Sequence, residues 1–458
     1  MWVAVLLLSS AAASPSAEVV AATSPSAEEV FARAGFPIPA FMHGAREPRA
    51  SFQKSREEAF ANTGNAFFDW YYVYVRDVQE RKAWGVTIAM TRCANGNGAA
   101  CLYENAWGCF LEVLPGQAAA QYVERWPLSA WNASTTTQQA TITGGAWTRL
   151  SIASDGPDGS HISLRGRLGS KEAVWRSEGG LGEHALQFDL KLTRRAGWFG
   201  ESWIEDLHLD RKSGAIMWSP YAHQATVTGT ITARGATHVL GADAARFRAY
   251  ADSNWGSTMP RPPPRGQSIN YPWGWYYAAR PHADPAKDVS IICGAGRTWL
   301  GLLPSSLNGR LCDLRLGTTL RLSLWAWTFD RLGGATASWA SDGGGQKVNT
   351  FDIRRSDWAD WADAYGTARV PMRQELRIAT GGHRVELNYT AARNTTARLL
   401  FALQDDLFSD FETLGATVSV RVVELASGRE VLSFVDPMGG LEFGYRVPVK
   451  VPPSRSGA

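Results

Sequence analysis

From residue 67 onward the chain is written in short aromatic and β-branched runs broken by polar turns. Phe67-Phe68-Asp69-Trp70-Tyr71-Tyr72-Val73-Tyr74-Val75 and Trp84-Gly85-Val86-Thr87-Ile88-Ala89-Met90 flank a charged turn from Arg76 to Lys82, which is the pattern of a β-hairpin. About two hundred residues later the pattern returns, the mark of an internal duplication. Its second copy runs Tyr271-Pro272-Trp273-Gly274-Trp275-Tyr276-Tyr277-Ala278-Ala279-Arg280, a charged turn containing Pro, then Val289-Ser290-Ile291-Ile292-Cys293-Gly294-Ala295-Gly296. Further strands are predicted from His184 to Thr193, Thr226 to Ala233, Thr319 to Phe329 and Thr417 to Leu425. No helical periodicity persists beyond about three turns after residue 60.

Length turns this pattern into an architecture. At roughly 150 residues per domain, 458 residues make about three domains, or two large β domains. The duplicated hairpin favours two, over 60–258 and 268–446, joined by a Pro-rich junction at 259–267 that contains Pro260-Arg261-Pro262-Pro263-Pro264. Residues 1–50 read as leader and linker, and 447–458 as a tail. The fold class expected is all-β, with two β-barrel or sandwich domains in tandem.

Composition narrows the function. Charged residues are 19% of the chain, below the roughly 25% of an average soluble protein, which speaks against disorder and coiled coils. Lys and Arg number 46 against 43 Asp and Glu, for a net charge of +3 without a long basic run, so nucleic acid is not expected as a partner. The 20 Trp, 13 Tyr and 18 Phe suggest apolar cavity walls as well as core, hence a hydrophobic small-molecule ligand.

Trp2 to Ala13 form an apolar run ending in Ala13-Ser14-Pro15-Ser16-Ala17, which looks like the hydrophobic and cleavage regions of a secretory signal without its basic start, or an uncleaved or truncated leader. It is too short to span a bilayer, and no other window approaches ~18 apolar residues, so any lipid contact expected is peripheral, with a membrane or lipid-droplet surface. Five cysteines do not fit zinc-ligand spacing: Cys93, Cys101 and Cys109 lack tight C-x-x-C pairs. In a secreted chain Cys101 could bridge to either neighbour, or Cys293 to Cys312. Sequons at Asn132, Asn388 and Asn394 point along the same route.

Near the junction, Gly229-Thr230-Ile231-Thr232-Ala233-Arg234-Gly235 through Phe247 leads into Ala249-Tyr250-Ala251-Asp252-Ser253-Asn254-Trp255-Gly256 and then a Pro before an aromatic strand. This resembles tocopherol cyclases, which carry an acidic residue, x-N-W-G, then a tryptophan-rich strand. Phe67-Phe68-Asp69-Trp70-Tyr71-Tyr72 looks like that family's F-F-E-G-W-Y-F strand without its glycine, and Gly439-Gly440-Leu441-Glu442-Phe443-Gly444 looks like its terminal A-A-x-E-x-G-G strand. The resemblance covers these three anchors; between Arg297 and Leu400 it is poor. N-W-G also occurs across the wider lipocalin-like superfamily, which includes carotenoid hydratases and fungal decalin-forming Diels–Alderases. Ser253 stands where hydratases usually carry His and cyclases prefer Lys.

The resemblance implies two lipocalin-like domains and closure of a chroman ring from a phytyl-type benzoquinol, with no metal or redox cofactor and with the plastid favoured as destination. The rival readings are a prenyl-lipid carrier and a polyene hydratase or pericyclase. Ring closure needs a carboxyl kept protonated by apolar surroundings and aromatic faces for the developing cation. Asp252 is the candidate acid, its alternative role being a turn carboxylate. Asp69 is its counterpart in the first strand, as a base or as the buried partner of an Arg. Trp70, Tyr71, Asn254, Trp255, Trp273, Trp275 and Tyr276 are candidate ligand contacts, although alternation puts about half of such residues on the far face of their strands. His184, His223 and His282 read as structural, no G-x-S-x-G elbow supports a hydrolase, and Gly294-Ala295-Gly296 reads as a strand-end turn.

Overall fold

The structure, a computed structural model, describes residues 47–48, 66–92, 105–134, 139–144, 148–155, 161–168, 175–176, 186–195, 201–202, 215–258, 273–299, 306–316, 320–329, 336–341, 348–363, 366–380, 382–403 and 406–447. The leader and Pro-rich junction expected from the sequence lie outside these residues, Glu47–Pro48 excepted. Among the described residues every regular element is a strand apart from single-turn 3₁₀ segments at Leu128–Ala130, Pro285–Lys287 and Arg393–Thr395. The protein is all-β.

Two large antiparallel sheets hold all of these strands except Glu47–Pro48 and Glu201–Ser202, which pair with each other. One has 13 strands drawn from Ala66 to Thr258, the other 11 drawn from Trp273 to Val447. In the first, Tyr71, Val86, Phe110, Ile142, Leu164, Leu190, Val227 and Ala249 come from strands spread across the sheet yet meet in one buried cluster, so the sheet curls around its own core. The second does the same with Tyr276, Ile291, Leu314, Leu376, Leu387, Val420 and Phe434. A third cluster, with Tyr74, Leu111, Tyr250, Trp275, Tyr277, Leu414 and Met438, is shared by both and forms the interface.

The duplicated hairpins occupy matching places. Ala66–Asp77 lies between Lys82–Arg92 and Phe247–Thr258, the last strand of its sheet. Trp273–Arg280 lies between Val289–Trp299 and Glu430–Val447, the last strand of the other. Both closing seams put one face into the interface. On Ala66–Asp77, Tyr71, Val73 and Val75 enter the first core while Tyr72 and Tyr74 turn to the second sheet, as the two-residue period of a strand requires.

Several boundaries differ from those expected. The first hairpin extends through Asp77 and from Lys82, leaving only 78–81 as turn. Gly294-Ala295-Gly296 is no turn but lies inside Val289–Trp299, laddered to Gly309, Arg310 and Leu311. The strand expected from Thr417 begins at Asp406, with polar residues that weaken its apolar pattern. Cys293 and Cys312, opposite each other on neighbouring strands, form a disulfide. Cys109 is a free buried thiol, which removes the Cys101–Cys109 pairing; Cys93 and Cys101 lie outside the described residues.

A carboxylate cleft between the two sheets

Where the closing seams meet, an open cleft is lined by Trp70, Tyr72, Thr87, Trp107, Asp252, Asn254, Trp275, Leu399, Asp410, Glu412 and Glu442. Among the described residues none that lines it is Lys or Arg. The first sheet supplies the wall from Ala66–Asp77, Lys82–Arg92, Asn105–Val113 and Phe247–Thr258; the second supplies it from Trp273–Arg280, Thr396–Leu403, Asp406–Glu424 and Glu430–Val447.

Alternation along each strand selects the groups that reach the cleft. Asp410 and Glu412 are two apart on one strand, and Glu442 lies directly opposite Glu412 on the next. Glycines make room for the indoles beside them. A Cβ on Gly440 would sit 2.3 Å from the Trp275 ring, and one on Gly444 would sit 1.9 Å from that of Trp273. The closing Gly440-Leu441-Glu442-Phe443-Gly444 segment thus seats two indoles with a carboxyl between them. Trp273 Nε1 donates to Glu442 Oε1.

Asp252 accepts from Tyr250 Oη at 2.6 Å and from Asn254 Nδ2 at 3.3 Å, while Trp275 Nε1 donates to Tyr250 Oη at 3.2 Å. Across the cleft, Tyr72 Oη donates to Glu412 Oε1. Burial is the main reason that the Glu412 carboxyl is pushed up to about 8; charges on Glu442 and Asp252 add to it, and the Tyr72 bond opposes it. Burial also raises Asp410 well above the carboxylate range, helped by Glu442, to which it is hydrogen-bonded. Glu442 is raised by burial against the bonds from Trp273 and Asp410. Like charges directly opposite in a ladder repel, so Glu412, facing Glu442, holds its proton near neutrality.

Of the sequence candidates, the cleft gathers Asp252, Trp70, Asn254 and Trp275, with Trp273 at its edge through Glu442. Tyr71 and Tyr276 belong to the separate cores of the two sheets, the latter donating to Gln374 Oε1 at 2.8 Å. Asp69, buried, falls on the Tyr71 face by alternation, away from the cleft. All three therefore face the cores of the sheets rather than this cleft. Trp255 pairs in register with Asp69, and its side chain lies outside what is described. Sequence reasoning missed Tyr72, Trp107, Asp410 and Glu412 and had not assigned Glu442 a role. Among the described residues no group of three His, Cys, Asp or Glu is placed to hold a metal ion.

No family model and no curated protein matches the chain. Among solved structures it is similar to the crystal structure of CghA, at 10% identity over 84% of this chain and 89% of that one, with a TM-score of 0.47. It is similar also to kievitone hydratase from Nectria haematococca, at 12% identity over 88% and 94%, with a TM-score of 0.45. Neither likeness bears on the chemistry of the cleft.

Proposed function

We propose that the cleft is an acid–base active site that adds a hydroxyl oxygen to an alkene carbon of an apolar ligand. Glu412 is the general acid and Asp252 the proton acceptor. The observation that carries this reading is a carboxyl kept protonated near neutrality, Glu412, in the same cleft as a carboxyl whose oxygens accept from two fixed donors, Asp252. This reverses the role that the sequence suggested for Asp252.

The proton of Glu412 goes to one alkene carbon, whose new C–H bond takes the π electron pair. The neighbouring carbon becomes cationic among Trp70, Trp107 and Trp275, whose π systems are worth about 2 kcal/mol to a desolvated cation. The hydroxyl oxygen closes the C–O bond and its proton passes to Asp252. Return of that proton to Glu412 resets the site, so protons balance and the addition needs no further reagent.

The resemblance to tocopherol cyclases supplies the finer form: the oxygen is a phenol and the alkene belongs to its own phytyl-type tail, so that a chroman ring closes. Incubating the purified protein with a phytyl-benzoquinol and following mass tests it. A chroman of unchanged mass is expected, with Glu412→Gln at least ~10²-fold slower because it keeps the shape and loses the proton. A product heavier by one water would make the enzyme a hydratase, and binding without turnover would make the protein a carrier and end the acid–base reading.

A further inference from the structure

The acid–base reading employs Glu412 and Asp252 and leaves half of the cleft's carboxyls without a task. Asp410 is 5% exposed, lines the cleft, and is hydrogen-bonded to Glu442, yet its Oδ1 atom is buried with no hydrogen-bond partner. A buried acceptor left unmet carries a desolvation penalty, which a donor on a ligand would recover. The surrounding walls are Trp70, Tyr72, Trp107 and Trp275, whose ring faces attract cations, and among the described residues the lining offers no Lys or Arg to compete.

We infer that the cleft takes a protonated lipophilic amine, its N–H⁺ donating to Asp410 Oδ1 and its apolar body lying among the indoles. A neutral ligand leaves Oδ1 unmet. A ligand bearing a carboxylate brings a fifth acid to Asp252, Asp410, Glu412 and Glu442. The inference shares the cleft of the preceding reading but needs no turnover, so either can fail without the other.

Cation binding also couples to protons. Glu412 is faced by Tyr72 and Tyr74 from Ala66–Asp77, Asp252 from Phe247–Thr258 and Glu442 from Glu430–Val447; Asp410 shares its own strand, and Cys109 lies nearby on Asn105–Val113. A positive charge among these groups favours their ionised forms. With the Glu412 carboxyl at about 8, binding at neutral pH expels protons and tightens as pH rises toward that value.

The test uses the full chain with dimethyl(phenylpropyl)amine, the neutral isostere in which CH replaces the nitrogen, and phenylpentanoate, read by tryptophan fluorescence and by calorimetry in buffers of different ionisation enthalpy. The amine is expected to bind at least ~10-fold more tightly than the isostere, with proton release, and the carboxylate to bind weakest. Asp410→Asn should bring amine and isostere to near parity. Equal binding of amine and isostere to the wild type, or binding without proton release, overturns the inference whatever the variant does. Amine binding with no turnover of the benzoquinol sinks the acid–base reading alone.

Discussion

The interface between the two sheets buries carboxylates at two places and neutralises them in different ways. At one, Asp436 accepts from Arg76 Nη1 at 2.7 Å, and Asp288 accepts from Arg248 Nη2 and Arg195 Nε, both at 2.9 Å. Tyr277 Oη to the His223 carbonyl and Gln224 Nε2 to the Val289 carbonyl complete this latch, at 2.9 and 2.8 Å. At the other, Asp252, Asp410, Glu412 and Glu442 share a cleft whose lining, among the described residues, has no Lys or Arg. Arg76 and Tyr72 are four residues apart on one strand, each donating to a carboxyl of the second sheet. A guanidinium cannot leave, so the latch holds the sheets together. A proton can leave, so the cleft can do chemistry.

The comparison breaks most visibly if the counter-charges are removed. Arg76 and Asp436 are both 1% exposed, and Asp436 also accepts from the backbone N–H groups of Ala279 and Met438 at 2.7 and 2.9 Å. Asp436→Ala strands a buried guanidinium and should cost about 3–5 kcal/mol in urea unfolding. Glu412→Gln removes no counter-charge and should leave stability unchanged or raised. A loss below ~1 kcal/mol in Asp436→Ala would show that the latch charges do not hold the interface.

A smaller effect separates the two places by pH. Glu412 stands at about 8 in the folded protein against an ordinary 4.5, so the folded state binds the extra proton between those values. Its contribution to stability is complete below about 4.5 and declines as pH rises through about 8, by at most ~1.4 kcal/mol per pH unit for this group. Chemical unfolding at pH 5 to 9 (roughly the window set by that shift) should show the decline in wild type and a shallower one in Glu412→Gln. Identical slopes for the two would mean that Glu412 carries no proton in the fold.

The sequence made the fold legible because strands advertise themselves locally. The W-Y-Y runs and their hairpin partners are contiguous, and their repetition marks the matching seams. Four of the eleven residues that line the cleft were candidates in the sequence too, since Asp252 and Asn254 share one strand face and Trp70 and Trp275 sit on the two opening strands. That Asp69, Tyr71 and Tyr276 face away from the cleft was not legible, because an apolar strand covered on both faces gives no phase to its alternation. Tyr72 and Glu412 are 340 residues apart and meet only through packing of one sheet on the other. The local trace of that meeting was Asp410-Phe411-Glu412, an acid–aromatic–acid alternation that aims two carboxyls at one face.

The smallest effect tests how finely the cleft sets its acid. The Tyr72 hydrogen bond favours the charged form of Glu412, whereas the charge on Asp252 disfavours it. Tyr72→Phe should therefore move the Glu412 titration upward, and Asp252→Asn should move it downward, although each removes one polar group from the same cleft. Each variant should cost only about 0.5–1.5 kcal/mol of stability, the net worth of a hydrogen bond. The carboxyl C=O stretch, followed by infrared difference spectroscopy against pH and assigned with Glu412→Gln, reads the titration without relying on turnover. Opposite displacements tie the acid to its two neighbours, one on each of the first sheet's closing strands. Displacements of the same sign would mean that burial alone sets Glu412, and that the facing carboxyls of the cleft do not act on one another.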